Sequence, residues 1–277
     1  MHNPEWPVRL FNRSVLKQRK FREITSYLGN THGLSCLDIG ADNGVISYLL
    51  RQQGGKWQSA DLDEQTVNAI RSLVEQDVYQ IDGRHTPFRE NTFDRIVIID
   101  LLEHIHTDRE FIDEMYRIMK PEGELIINVP HTKRSLLRLC RLAIGQTDEK
   151  HGHVRPGYTV EEIRALLGQR FTITAVHTYS RFFSECIDTL ITAAVDWLKR
   201  ENKTSPKGRM VTGDDVGQYQ KMFKMYSTIY PIMRLFSQLD SLLFWCSGYM
   251  MIVKSAIHKE TSSTAVSVMM DRESMYI

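Results

Sequence analysis

Between Leu34 and Val129, short apolar runs alternate with stretches in which apolar residues recur at helical spacing. The runs Leu34–Ile39, Trp57–Ala60, Val78–Ile81, Arg95–Asp100 and Leu125–Val129 read as five strands. The fourth is β-branched on both faces, the pattern of a strand covered on both sides. The stretches Val45–Gln52, Glu64–Val74 and Arg109–Met119 read as helices, and Gly54-Gly55 closes the first. Strands that alternate with helices predict an α/β fold with a doubly wound, mostly parallel sheet.

The flanks follow other rhythms. Asn12–Leu28 is amphipathic, with Phe11, Val15, Leu16, Ile24 and Leu28 against the basic cluster Arg13, Lys17, Arg19, Lys20 and Arg22. That cluster reads first as a solvated face, with an anionic lipid surface or phosphorylated substrate as the sharper alternative. After Pro130, His131–Ile144 reads as a helix and Gln146–Tyr158 as a polar loop. Thr159–Leu167 is a helix opened by the capping pair Thr159 and Glu162. Phe171–His177 and Gly248–Ser255 are the sixth and seventh strands. Between them lies an insertion, Ser184–Ser247, with an amphipathic helix at Ile187–Leu198 and a polar linker at Lys199–Gly217. Its second half, Tyr219–Trp245, is rich in aromatics and methionine and is expected to break at Pro231. The tail Lys259–Ile277 has the Ser/Thr-rich composition of a disordered segment.

Composition narrows the classes. A formal net charge of +1 lacks the basic excess of a general nucleic-acid binder, so no nucleic-acid partner is expected. The cysteines Cys36, Cys140, Cys186 and Cys246 form no CxxC pair, which gives neither a zinc signature nor a disulfide framework. The first residues, with Pro4, Glu5 and Pro7, do not resemble a signal peptide, and no apolar run is long enough to span a bilayer. A cytoplasmic protein, with or without peripheral membrane contact, is the expectation.

The chemistry centres on Cys36-Leu37-Asp38-Ile39-Gly40-Ala41-Asp42-Asn43-Gly44. A strand that ends in an acid and a glycine-bounded turn, then feeds a helix, is a nucleotide-cofactor site. Glycine permits positive φ and close ligand approach, and a helix start offers free N–H groups. Asp61 and Asp63 close the second strand, where an acid can accept from a ribose diol. Asp61 is the first choice, and either acid could instead cap the following helix.

The turn resembles motif I of the class I S-adenosylmethionine (SAM) methyltransferases, with Asp42 in place of the middle glycine. Thr86-Pro87-Phe88 with Phe93-Asp94, then Leu102-Glu103-His104, then Lys120-Pro121-Glu122-Gly123, resemble successive segments of the methyltransferase type 11 group. The resemblance runs from about Leu34 to Pro130. It implies a seven-stranded Rossmann-like core with an antiparallel last pair, and SAM as cofactor. It assigns cofactor contacts to Asp38, Gly40, Ala41, Asp42, Gly44, Asp61, Leu62, Asp82, Gly83 and Asp100, with Asp82 facing the adenine amine. The expected division is an N-terminal helical segment (1–30), the SAM-binding core (31–183), a helical insertion (184–247), the last core strand (248–258) and the tail (259–277).

Methyl transfer demands an acceptor held in line and, for a hydroxyl acceptor, a base. His104, His131 and His153 follow strand ends or lie in the loop above them, and are the candidate bases, each with a structural role as the alternative. The pairs His104/His106 and His151/His153 sit in no recognisable ligand set, so no metal is expected. The expected acceptor is a small molecule, glycan or lipid-linked compound, methylated at oxygen, with carbon of a quinone or lipid-like acceptor as the alternative. The insertion is read as a lid, a membrane contact or a homodimer contact. Two readings compete. One is an inactive SAM-fold scaffold. The other is a nicotinamide-dependent oxidoreductase, suggested by the Tyr116-x-x-x-Lys120 spacing but lacking the required glycines.

Overall fold

The computed structural model describes residues 5–132, 153–201 and 216–259. Seven strands form one sheet: β1 (Ser35–Ile39), β2 (Lys56–Asp61), β3 (Val78–Gln80), β4 (Phe93–Ile99), β5 (Met119–Pro130), β6 (Phe171–Tyr179) and β7 (Met250–Ile257). Their spatial order is β3-β2-β1-β4-β5-β7-β6. β1 pairs in parallel with β2 and β4, and β4 with β5. β7 lies antiparallel between β5 and β6.

Strand alternation sorts the core into two layers. Along β4, Ile96 and Ile98 face one side, while Val97 and Ile99 face the other. The first layer is covered by α5 (Asp108–Ile118), whose Phe111, Ile112, Met115 and Ile118 form one apolar stripe, and by α6 (Val160–Leu167). The second is covered by α2 (Val15–Leu28) through Ile24 and Leu28, and by α3 (Val45–Gln52) through Ile46 and Leu50. α4 (Glu64–Val74) packs Val67 and Ile70 beside β3. Helices on both faces of a parallel sheet are what the alternating pattern predicts.

Outside that core the chain departs from expectation in instructive ways. The N-terminal segment holds two helices, α1 (Glu5–Phe11) and α2, because Ser14 accepts the Lys17 N–H and starts α2 afresh. The Lys120–Glu124 turn is absorbed into β5, where Glu122 takes a left-handed φ of 64° and the register shifts between Phe93 and Arg95. His131 opens no helix. It pairs as an isolated bridge with Tyr158, and the rest of the helix expected to Ile144 lies outside the described residues.

The insertion forms α7 (Phe182–Glu201), α8 (Val216–Leu239) and a 3-10 turn (Asp240–Leu243). Pro231 does not break α8. A helical proline costs about 3 kcal/mol. Packing of Ile229, Tyr230 and Met233 on Val15, Leu16 and Ile187 clamps the helix on both sides of it. Most of the expected linker and the tail beyond Lys259 lie outside the described residues. Among the described residues no helix is long and apolar enough to cross a membrane.

Candidate cofactor and acceptor site

The carboxyl ends of β1, β2 and β4 converge on the Gly40–Gly44 turn. Gly40 has φ 86°, and a Cβ there would lie 2.2 Å from the Ile99 carbonyl oxygen. The turn is thus pressed onto the end of β4, and only glycine fits. Gly44 has φ 79° at the N-cap of α3, and a Cβ would meet the Ile70 Cα at 2.7 Å. Asp42 holds the middle position with φ 54°, a left-handed conformation that Asp tolerates. Ala41 is buried against the second core layer.

The four acids divide by what their oxygens already do. Asp38 is fully buried and accepts from the hydroxyls of Ser47 and Ser59, with Arg51 3.6 Å away. Burial pushes its carboxyl upward against the pull of Arg51 and the two serines. It ties β1, β2 and α3 together, so its influence on a cofactor runs through the turn's shape. Asp63 caps α4, accepting the Thr66 N–H at 2.9 Å. Asp61 is left at the strand end. It is 7% exposed, accepts the Asp63 N–H at 3.2 Å and forms no ion pair among the described residues. Burial raises its pKa to about 6. A nearly buried carboxylate of this kind is suited to neutral hydroxyl donors, and a ribose diol is such a group. Asp82 is exposed after β3, accepts the backbone N–H of Arg84 and His85, each at 2.7 Å, and lies below the usual carboxylate range through those bonds. Leu62 packs near Gly83, where a Cβ would sit 3.3 Å from Leu62 Cδ2.

Two lysines of α2 complete the site. Lys17 pairs with Asp42 at 3.0 Å, and Lys20 with Asp100. Burial works against the Lys20 ammonium, but Asp100 outweighs it and the net shift is upward. Asp100 has a left-handed φ of 46° and also accepts from the Asn128 amide at 2.8 Å. The basic cluster is therefore not simply a solvated face: one of its members pairs with Asp42 in the glycine turn and another with Asp100 after β4. The link between Lys20 and Asp100 spans most of the parallel core in sequence, so no local pattern announces it.

Beyond Asp100, the 3-10 turn Leu102–His104 follows β4. His104 and His153 meet edge to face, with ring centroids 4.7 Å apart. Glu103 lies beside them, buried to 1% exposure, and burial followed by the Asp100 charge raises its pKa to about 8. His131 is not in that group; its Nδ1 lies 3.0 Å from the Gly248 carbonyl oxygen. A carbonyl only accepts, so Nδ1 donates. The histidine pairs considered along the sequence are thus regrouped: the fold takes one from each and adds Glu103, whereas His151 lies outside the described residues. The Tyr116/Lys120 spacing carries no joint function. Tyr116 donates to the His258 carbonyl, and Lys120 pairs with Asp94 at 2.7 Å.

A sheet in this order, with β7 alone reversed and the turn after β1 feeding α3, is the fold of the class I SAM-dependent methyltransferases, which the chain resembles. Residues 37–127 match the family model described as a methyltransferase domain. The human mitochondrial arginine-hydroxylase NDUFAF5 is 30% identical over 142 residues, 48% of this chain and 40% of that protein. The demethylmenaquinone methyltransferase of Corynebacterium urealyticum is 34% identical over 97 residues, 34% of this chain and 41% of that protein. The alignments therefore span under half of either relative. The phosphoethanolamine N-methyltransferase 2 of Haemonchus contortus, solved with phosphomonomethylethanolamine and S-adenosylhomocysteine, shares the fold with a TM-score of 0.53 at 17% identity, covering 88% of this chain and 53% of that one. SAM is the cofactor of this class.

Proposed function

We propose that the chain transfers the SAM methyl group to an oxygen of a small, lipid-like acceptor of the quinone class. The observation that carries the reading is the convergence of two unlike sets of groups at one sheet edge. Asp61 and the clasped turn suit a nucleoside, and Glu103, His104 and His153 lie beyond them toward the acceptor. SAM supplies an activated methyl on a sulfonium. The chain's share is then placement and proton removal. Lys20 and Asp100 form a charge pair matched to the zwitterionic amino-acid end of SAM, and Asn128 fixes the Asp100 carboxylate. His104 and His153 are within reach of one another to accept the proton of an acceptor hydroxyl.

The acceptor class draws on the demethylmenaquinone methyltransferase among the relatives and on the surface of the insertion. Phe182, Ile232, Leu235, Phe236, Leu242, Phe244 and Trp245 are exposed there, with Arg234 and Lys224 as exposed cations. This composition suits peripheral contact with an anionic lipid surface; a second copy of the chain is the other occupant. Carbon methylation of the same acceptor class is the alternative reaction.

Calorimetry with SAM and with NAD, followed by transfer of labelled methyl into demethylated quinones and into cellular lipid extracts, tests the proposal. SAM binding with label in a lipid-soluble product supports it. No SAM binding, or label confined to RNA or protein, overturns it. SAM binding without transfer to any acceptor favours the scaffold, and hydroxylation of an arginine side chain would favour a reaction like that named for NDUFAF5.

A further inference from the structure

The geometry points to a divalent transition-metal site formed by Glu103, His104 and His153. A carboxylate oxygen and a ring nitrogen from each histidine lie within 4.8 Å of one another. Two imidazoles and a carboxylate that leave positions open are a donor set suited to zinc, manganese or iron(II). Ligands bound at about 2.0–2.2 Å lie roughly 3–3.5 Å apart, so rotation about side-chain bonds closes the set.

Two independent features support the site. First, Glu103 Oε2 is buried and has no hydrogen-bond partner, a costly state for a carboxylate oxygen. A cation between it and the imidazoles satisfies it. The nearby Lys20 does not, because its ammonium is engaged by Asp100. Second, the segment carrying His153 is pinned onto the turn carrying Glu103 and His104. The Val154 N–H donates to the Glu103 carbonyl at 2.9 Å, and Arg155 donates to the Ile105 carbonyl at 3.0 Å while pairing with Asp108. The Tyr158 hydroxyl, 3.1 Å from the Leu102 carbonyl oxygen and 2.8 Å from Asp108 Oδ2, fixes the other end. Residues nearly fifty positions apart are thus held in register before any ligand arrives, as a preorganised ion site requires.

The site faces the acceptor side, next to Asp100. With an ion bound the two imidazoles are ligands and not bases; the metal would instead bind an acceptor oxygen and lower its pKa, so that its proton passes to solvent. That role rests on the methyl-transfer reading; the ion site does not.

The test uses the full-length chain stripped with chelator and titrated with Co2+, read by visible absorption and by calorimetry, with Zn2+ competing. The expected result is one equivalent bound with a histidine-carboxylate spectrum and displaced by Zn2+. His153→Ala and Glu103→Gln should each weaken Co2+ binding at least about tenfold, whereas the exposed neighbour His106→Ala should bind as the parent does. Thermal melts identify any variant that fails to fold, and for such a variant His153→Gln, which keeps a polar side chain, takes its place. Absence of Co2+ binding, or binding equal in parent and variants, overturns the proposal. SAM affinity measured on the same metal-free sample separates this failure from that of the methyltransferase reading, since the cofactor turn lies outside the ion site.

Discussion

The sheet edge and the helical insertion solve opposite problems. At the edge, polar groups are gathered and most are given a partner. Asp38 has its serines, Asp63 its cap and Asp100 its lysine and amide, while Asp61 accepts the Asp63 N–H and Glu103 Oε2 has no hydrogen-bond partner. In the insertion, apolar groups are pushed outward: Leu190, Leu242, Phe244 and Trp245 are each more than half exposed. The insertion is nevertheless well anchored. Asp240 is buried and accepts the backbone N–H groups of Arg181 and Phe183 at the start of α7, and Phe223 meets Trp6 edge to face. Its outward residues are therefore not signs of loose packing. A chemical site keeps its polar residues under strain, whereas an interaction surface keeps its apolar residues in water, and substitutions should divide the two regions accordingly.

The largest effect is expected at Gly40. Gly40→Ala puts a Cβ against the Ile99 carbonyl in a left-handed backbone, which should cost on the order of 2–4 kcal/mol and abolish SAM binding. A melt within a degree of the parent, with SAM binding intact, would show that the turn is not clamped on β4.

Next comes Asp61→Asn, where two readouts should move in opposite directions. Loss of the charged acceptor should weaken SAM binding by roughly 1.5–3 kcal/mol. The apo protein should become more stable at neutral pH, by up to about 3 kcal/mol, because the pKa of about 6, raised by burial from an ordinary 3.8, marks an ionised group buried at a cost. The sign follows from proton binding. Between those two values the folded state binds the proton and the unfolded state does not, so stability falls as pH rises. The gain from Asn is full above about pH 6 and disappears below the unfolded value. In the parent, SAM affinity should decline as pH drops through about 6, and in Asp61→Asn that decline should be absent. Calorimetry across pH 5 to 8 reads both, and a parallel fall in stability and affinity would make Asp61 merely structural.

Lys20→Met should have an intermediate effect. It keeps the apolar stem of Lys20 on the sheet but leaves Asp100 with only Asn128, and SAM affinity should fall about tenfold, or 1.4 kcal/mol. An unchanged affinity would make the α2 clasp a packing feature only. The smallest effect on the fold is expected from Phe244→Ser with Trp245→Ser. Melting and SAM affinity should stay within about 0.5 kcal/mol, while sedimentation with anionic vesicles should be lost. A loss of stability would place those rings in the core, and a change from dimer to monomer by light scattering would identify a second copy as the occupant.

The parallel core was legible because its signals are local. Alternation along β4, the glycines bounding the turn and the capping pair at Thr159 each act within a few residues. Even the choice between Asp61 and Asp63 follows a local rule, since an acid followed three positions later by a free N–H is the cap. What escaped notice joins distant positions. Lys20 reaches Asp100 across β1 to β4, and His153 meets His104 from nearly fifty positions away. The large apolar positions of the insertion between Tyr219 and Tyr230 read either as a cover for an acceptor or membrane surface or as helices packed on the core. Of these, Phe223, Ile229 and Tyr230 pack on the N-terminal helices and α7. Helical spacing shows that a face is apolar and not which neighbour it meets.

The place of β7 in the sheet has a consequence for how the chain assembles. Tyr179 at the end of β6 is paired with Met250 at the start of β7, so the whole insertion is the loop of one antiparallel hairpin. β7 also fills the slot between β5 and β6 and buries Met251, Ile252 and Val253 there. During synthesis β6 has no neighbour to pair with until both insertion helices have been made. The half-built sheet then presents two apolar edges, a state prone to wrong pairing. Closure of the hairpin is a long-range contact and therefore slow.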